Sequence, residues 1–163
     1  MNKRLNILVA NDDGIASPGL LRLANAAARL GDVWVAAPQG QCSGMSQKIT
    51  IAGEISVEKR NFPADVKAAY AIGGTPADCV KTAIKSLLPV KPDVVFSGIN
   101  SGFNTGFDIA YSGTVGAAME ALLNGVPAIA FSETHSGCRE VTDMFLYEIA
   151  RELIKRPLAG EIW

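Results

Sequence analysis

Two adjacent carboxylates, Asp12 and Asp13, stand in Asn11-Asp12-Asp13-Gly14 directly after an apolar run, Leu5-Asn6-Ile7-Leu8-Val9-Ala10, that reads as a buried strand. Like charges side by side repel, and burial strips their water. A divalent cation stabilises such a pair, and hard ions such as magnesium or manganese prefer oxygen ligands. The plain alternative is a strand-to-turn junction in which Asp and Gly serve turn geometry. Two later segments offer neutral oxygens of the same hardness. Ser43, in Ser43-Gly44-Met45-Ser46, carries a hydroxyl, and Asn100, in Ser97-Gly98-Ile99-Asn100-Ser101-Gly102, carries an amide carbonyl. Each segment is equally an ordinary loop or turn by composition.

Tyr111-Ser112-Gly113-Thr114 opens a helix. Free backbone N–H groups and the helix dipole favour an anion such as phosphate at that position. The Ser112 and Thr114 hydroxyls add donors, and Asn104 in the same loop can donate to the same anion. Ordinary N-capping by Ser112 accounts for the same residues. Gly73-Gly74-Thr75-Pro76 is a further glycine-rich helix start that could border a substrate. Joined, the clusters supply cation ligands and an anion cradle, the two requirements of phosphate-ester hydrolysis. There is no GxSxG elbow and no GxxxxGK[ST] phosphate loop. The acidic pair is adjacent and not DxD, which does not suit an aspartyl-phosphate intermediate. Asn-Asp-Asp-Gly in place of GxGxxG argues against a dinucleotide-dependent oxidoreductase. A non-catalytic nucleotide-binding domain is the remaining alternative. Trp34 and Phe96 read as core, and His135, Lys48, Lys81 and Arg139 as surface.

Strand and helix signals alternate around these clusters. Leu20, Leu21, Leu23, Ala24, Ala27 and Leu30 recur at helical spacing, with Ser17 as N-cap, Pro18 at the first position and Gly31 as the stop. Residues 33–37 form a second buried strand, stopped by Pro38, and residues 39–47 a loop. Residues 48–58 alternate and suggest a β-excursion. A short strand at 70–72 precedes a helix capped by Thr75, with Pro76 at N1 and Asp78 at N3. Its apolar stripe is Val80, Ala83, Ile84 and Leu87. A strand at 94–97 leads through a glycine-rich loop, 98–113, into a helix carrying Val115, Ala118, Met119 and Leu122. A strand at 128–131 and a helix at 140–155, with Phe145, Ile149 and Leu153 on one face, follow. Such alternation implies a Rossmann-like three-layer α/β/α fold with a mainly parallel sheet, in one domain over residues 1–163. Gly160-Glu161-Ile162-Trp163 reads as the start of a strand, either a terminal edge strand or the beginning of a further segment.

The chain has 163 residues, 48% hydrophobic and 19% charged, a globular composition. A net charge of -1 gives no electrostatic case for nucleic acid or an anionic membrane. No apolar stretch is long enough to span a bilayer, and the basic start, Met1-Asn2-Lys3-Arg4, lacks the apolar region of a signal peptide. Cys42, Cys79 and Cys138 are odd in number and far apart, which favours reduced thiols and a cytoplasmic protein. With His135 as the sole histidine and no CxxC, a zinc site is not expected.

The motifs, in combination and in order, closely resemble the SurE family, the stationary-phase survival nucleotidases. The resemblance runs through Ile7 to Gly14, Pro18-Gly19, Val35-Ala36-Ala37-Pro38, Ser43-Gly44 and Gly74-Thr75-Pro76-Ala77-Asp78-Cys79-Val80. It continues in Ser97-Gly98-Ile99-Asn100-Ser101-Gly102, Asn104-Thr105-Gly106 and Tyr111-Ser112-Gly113-Thr114-Val115, spanning residues 5–133. It implies a metal-dependent 5′-nucleotidase acting on nucleoside monophosphates, and the expected nucleophile is a metal-bound water. It carries the metal-ligand role for one Mg2+ or Mn2+ onto Asp12, Asp13, Ser43 and Asn100, with Asp12 and Asp13 also catalytic. It places phosphate near Asn104, Ser112, Gly113 and Thr114 and implies a dimer or tetramer; Asn11 is a further candidate for substrate binding. Two features depart from the family pattern. Ala16 stands where many members have His, and members continue into a C-terminal segment with a β-hairpin and an exchanged arm used in assembly.

Overall fold

A computed structural model describes residues 4–135 and 139–155. Cys138 and the strand expected at 160–163 lie outside the described residues. The strands are β1 (Leu5–Ala10), β2 (Gly31–Pro38), β3 (Val57–Arg60), β4 (Ala68–Ile72), β5 (Val94–Ser101) and β6 (Ala128–Glu133). They form a six-stranded sheet in the order β3-β4-β2-β1-β5-β6. Every neighbouring pair is parallel except β3 with β4. The helices are α1 (Pro18–Ala28), α2 (Pro76–Thr82), α3 (Gly113–Leu123) and α4 (Glu140–Ile154).

Alternation along each strand sorts the core into two layers. Ile7, Val9, Val33, Val35 and Phe96 meet Leu20 and Leu23 of α1 and Leu146 and Ala150 of α4. Leu8, Ala10, Trp34, Ala36 and Val95 meet Cys79 and Val80 of α2 and Ala117, Ala118 and Ala121 of α3. Burial of an apolar strand on both faces is what a parallel sheet covered by helices requires. Trp34 and Phe96 are core residues, as expected. The result is the expected three-layer α/β/α arrangement. No helix among the described residues is long and apolar enough to cross a membrane.

The chain goes from β1 outward to β2 and β4, then returns to the other side of β1 as β5 and β6. The order therefore reverses between β1 and β5. The carboxyl ends of strands flanking such a reversal leave a crevice, because the following connections diverge to opposite faces. Asp12 and Asp13 follow β1, and Asn104 follows β5.

The structure corrects four local expectations. Gly31 does not stop α1, which ends at Ala28; it starts β2, where its backbone lies against Leu5. The β-excursion at 48–58 reduces to exposed β3, because Thr50 N–H and Oγ1 bond to the Asp78 carboxylate and do not enter a ladder. The strand at 94–97 extends to Ser101 past a register shift between Ser97 and Asn100, so Asn100 lies on a strand paired with Ser132 and not in a turn. In α4 the buried residues are Leu146 and Ala150, while Phe145 and Ile149 are half-exposed. Polar contacts with α1 accompany that rotation. Arg22 on α1 bonds Asp143 at 2.5 Å and grips Glu133 at 2.6 and 3.0 Å. Arg29 lies 3.6 Å from the Tyr147 ring centroid.

Helix α2 starts as expected. Thr75 accepts from Asp78 N–H at 3.1 Å, and the Asp78 carboxylate accepts from Thr75 N–H at 3.0 Å, a reciprocal capping box. Burial acts to raise the Asp78 carboxyl, but the hydrogen bonds from Thr50 and Thr75 outweigh it and hold the group below its ordinary 3.8. A lowered folded-state value stabilises the fold above the ordinary value, and that stabilisation is lost as pH falls through the folded-state value. Asp78→Asn is expected to destabilise the protein by about 1–3 kcal/mol at neutral pH. The gap between variant and wild type, measured by chemical denaturation, narrows as pH drops below 3.8. A gap independent of pH would show that the charge of Asp78 contributes nothing.

Candidate active site

At the reversal point lies a cleft of about 510 Å³. Asp12, Asp13, Ser43, Asn100, Asn104 and Ser112 all line it. Asn100 lies at the end of β5, and the others come from three connections, those after β1 and β2 and the one that runs from β5 into α3. The Gly73–Pro76 segment does not line it; Thr75 instead donates to Lys48 O at 2.5 Å and caps α2.

Asp12 is 3% exposed and half-buried Asp13 is its neighbour. Among the described ion pairs, neither has a Lys or Arg partner. Burial pushes the Asp12 carboxyl up, the Asp13 charge adds to that, and the Thr114 hydrogen bond opposes both. Thr114 Oγ1 donates to Asp12 Oδ1 at 2.5 Å, and the Thr114 N–H also favours the charged form. The start of α3 therefore serves the Asp12 carboxylate, and the buried Thr114 hydroxyl is committed there. Contact this close requires glycine at 113, where a Cβ would lie 2.8 Å from Asp12 Cβ. Ser97 Oγ donates to Thr114 O at 2.7 Å and ties the helix start to β5.

Ser112 caps α3 by accepting from Val115 N–H at 3.1 Å. The cap leaves its own O–H free to donate into the cleft, and the Gly113 N–H is one of the unpaired donors that any helix start carries. Asn11 is fully buried and shapes the turn. Its Nδ2 donates to Gly14 O and its Oδ1 accepts from Gly14 N–H. It is not among the cleft residues.

The two amides at and just beyond the end of β5 have opposite polarity towards the cleft. Asn100 Nδ2 donates to Gly102 O at 2.8 Å and to Asn104 Oδ1 at 3.2 Å. Both Asn100 N–H groups are thereby used, and its carbonyl oxygen is left as the available atom. Asn104 is arranged the other way. Its oxygen accepts from Asn100, and its Nδ2 is buried with no acceptor among the described residues. A buried, unpaired amide N–H is costly and marks a place for an acceptor.

The loop carrying Ser43 is fastened on two sides. Cys42 N–H donates to Asp12 O at 2.7 Å, Ser46 N–H to Tyr111 O at 3.0 Å and Ser46 Oγ to Ala110 O at 2.8 Å. Ser43 Oγ accepts from Gln41 Nε2 at 3.1 Å. Cys42 and Cys79 are free thiols.

The donor set fits a hard divalent cation. It comprises two carboxylates without a cationic partner, a hydroxyl and a carbonyl oxygen, all oxygen atoms at one cleft. Among the described residues no group of three His, Cys, Asp or Glu side chains could hold a metal, so any such site depends on Ser43 and Asn100 as neutral ligands.

The family model described as "Survival protein SurE" matches residues 7–161. The chain belongs to the SurE family. Among similar SurE proteins, 5′-nucleotidase SurE 1 of Chlamydia caviae is 43% identical over 159 residues, covering 96% of this chain and 55% of the relative. The 5′-nucleotidase SurE of Variovorax paradoxus is 44% identical over 152 residues, covering 93% and 58%. The crystal structure of the SurE protein from Aquifex aeolicus matches with a TM-score of 0.79 at 38% identity, covering 94% of this chain and 62% of that one. The chain thus spans little more than half the length of the curated SurE relatives it matches.

Reasoning from residue types missed several cleft residues. Phe103, Asp108, Tyr111 and Gln41 line it, and so does His135, exposed as expected, whose Nδ1 is 3.0 Å from Ser101 Oγ. The signal available for Phe103 and Tyr111 was aromatic rings inside a glycine-rich loop.

Thr114 acts on Asp12 and not on a ligand directly. Thr114→Val keeps the shape and deletes the donor. The expected result is Mn2+ affinity lower by about 10–100-fold, as for other groups that orient a ligand. The pH needed for binding moves upward as well, because Asp12 loses a group that favours its charge. Calorimetric titration of Mn2+ across pH checks this; unchanged affinity would show that the hydrogen bond is only structural.

Proposed function

We propose that this cleft hydrolyses the phosphomonoester of nucleoside 5′-monophosphates. The observation that carries the reading is the paired amide geometry. Asn100 presents oxygen and Asn104 presents an unsatisfied N–H in one cleft that also holds two uncompensated carboxylates. A site with acceptors for a cation beside donors for an anion suits a metal-assisted phosphoryl ester. The names of the relatives, 5′-nucleotidases, point to the same chemistry.

Asp12, Asp13, Ser43 and Asn100 would hold one Mg2+ or Mn2+. When bound, that ion supplies neutralisation of phosphoryl charge and lowers the pKa of water at the site. Asn104 Nδ2, the Ser112 hydroxyl and the Gly113 N–H bind the phosphoryl oxygens and stabilise charge that grows as water attacks phosphorus. Asp13, half-buried, orients that water and takes its proton. The phosphorus–oxygen bond to the nucleoside breaks, and the departing alkoxide is protonated from solvent. Thr114 holds Asp12 in place.

The protein works in the cytoplasm on this reading, which free thiols at Cys42 and Cys79 fit. It assembles as a homo-oligomer, a dimer or tetramer, consistent with the exposed apolar residues Val141, Met144, Phe145 and Ile149 on α4.

Phosphate release from a nucleoside 5′-monophosphate panel, with Mn2+ or Mg2+ and with a chelator, tests the proposal. Release is expected with metal and abolished by chelation. Asp13→Ala is expected to remove metal-dependent turnover, at least about 10³-fold, with an unchanged circular dichroism spectrum. Turnover surviving in that variant sinks the assigned role. Nucleotide binding without release would identify a binding domain in place of an enzyme.

A further inference from the structure

We propose that Phe103 and Tyr111 form an aromatic platform for the heterocyclic base of the substrate, so that this cleft selects nucleotides over simple sugar phosphates. The inference rests on the phosphomonoester reading of the cleft and deepens it, because that reading assigns no residue to the base.

Single exposed apolar residues are ordinary on a protein surface. These two are distinguished by place. Phe103 is 60% and Tyr111 68% exposed, and both line the cleft that holds Asp12 and Asp13. Each immediately precedes a residue assigned to phosphate, Phe103 before Asn104 and Tyr111 before Ser112. Consecutive Cα atoms are about 3.8 Å apart, so a ligand anchored by Asn104 and Ser112 has both rings within reach of its organic end.

The backbone on both sides is anchored. Asn104 accepts from Asn100 and its N–H faces Ser132 Oγ at 3.4 Å, while Tyr111 O accepts from Ser46 N–H. The rings are therefore presented from fixed points. The cleft volume of about 510 Å³ exceeds what a phosphate and a cation fill, and falls in the range of sites for nucleoside-sized ligands. Asp108, which also lines the cleft, carries a negative charge that repels phosphate. It suits ribose hydroxyls or base N–H donors. A base has an apolar face and polar edges, so stacking on an aromatic ring with a carboxylate nearby matches its chemistry.

The test compares binding of the methylenephosphonate analogues of AMP and of ribose 5-phosphate, which resist hydrolysis, in the presence of Mn2+. The wild type is expected to bind the AMP analogue about tenfold more tightly or better, the lower range for stacking of one base. Phe103→Ala and Tyr111→Ala should each bring that ratio towards one, while Phe103→Tyr keeps it. Phe107→Ala is the control, since Phe107 is 94% exposed in the same loop but does not line this cleft. Its ratio should match the wild type. Should Phe103→Ala fail to fold, Phe103→Leu carries the comparison. A ratio unaltered by the Phe103 and Tyr111 substitutions, or an equal loss for both ligands, overturns the platform while leaving the phosphomonoester reading intact. Failure of the wild type to bind either analogue overturns both.

Discussion

Everything at this cleft depends on keeping the Asp12 carboxylate charged where water is largely excluded. A buried carboxylate beside another carboxylate drifts towards protonation, and a protonated acid is a poor ligand for a hard cation. The fold opposes that drift with α3. Its first turn brings the Thr114 hydroxyl and N–H onto Asp12, and the partial positive charge of the helix start acts in the same direction. The approach is close enough that position 113 has no room for a side chain. Ser97 then fixes the same helix start to β5. One short helix terminus thus opposes the upward push that burial and Asp13 give Asp12, and it couples the β1 and β5 sides of the crevice.

The consequence for the rest of the cleft is a separation of roles. Because α3 directs Thr114 at Asp12, the donors left for the proposed phosphate are those of Ser112, Gly113 and Asn104. The Asn100–Asn104 hydrogen bond makes this division directional. An amide has one acceptor end and one donor end, and linking two in series exposes an oxygen at one and an N–H at the other. Reversing the Asn100 amide would turn the proposed cation ligand into a repulsive donor. That polarity is maintained by Gly102 O, the second acceptor for Asn100.

Much of the fold was legible because it follows from periodicity and caps. Apolar runs at β1, β2 and β6, the Thr75-Pro76-Asp78 start of α2 and the Ser112 cap of α3 are local signals, and each appears where expected. What was not legible depends on partners distant in sequence. The face of α4 that packs on the core, Leu146 and Ala150, also meets Arg22 and Arg29 of α1 through Asp143 and Tyr147, so the residues Phe145 and Ile149 read from α4 alone are half-exposed. The alternation at 48–58 looked like a strand, but Asp78 takes the backbone and side chain of Thr50. At the site, the residue types of Asp12, Asp13, Ser43 and Asn100 suggested oxygen ligands, while the work of Thr114 and Asn11 was hidden. Both are polar residues in a motif, and only geometry shows that one holds Asp12 and the other closes its own turn.

The topology explains why a cleft with such mixed demands can be built at all. A cation wants converging oxygens and an anion wants converging N–H groups, and the two arrays must touch without neutralising each other. In this sheet the reversal between β1 and β5 separates the carboxylates from the N–H donors, and Asn100 on β5 brings an oxygen across to the carboxylates. The carboxylates leave on the β1 connection, and the Asn104 amide, aromatic rings and helix-start donors leave on the β5 connection. The arrays meet because parallel strands deliver their carboxyl ends to one edge, and they remain distinct because each connection is braced separately, by Cys42 on one side and Ser97 and Ser46 on the other. Loosening either brace would change the spacing between the carboxylates after β1 and the donors at the start of α3.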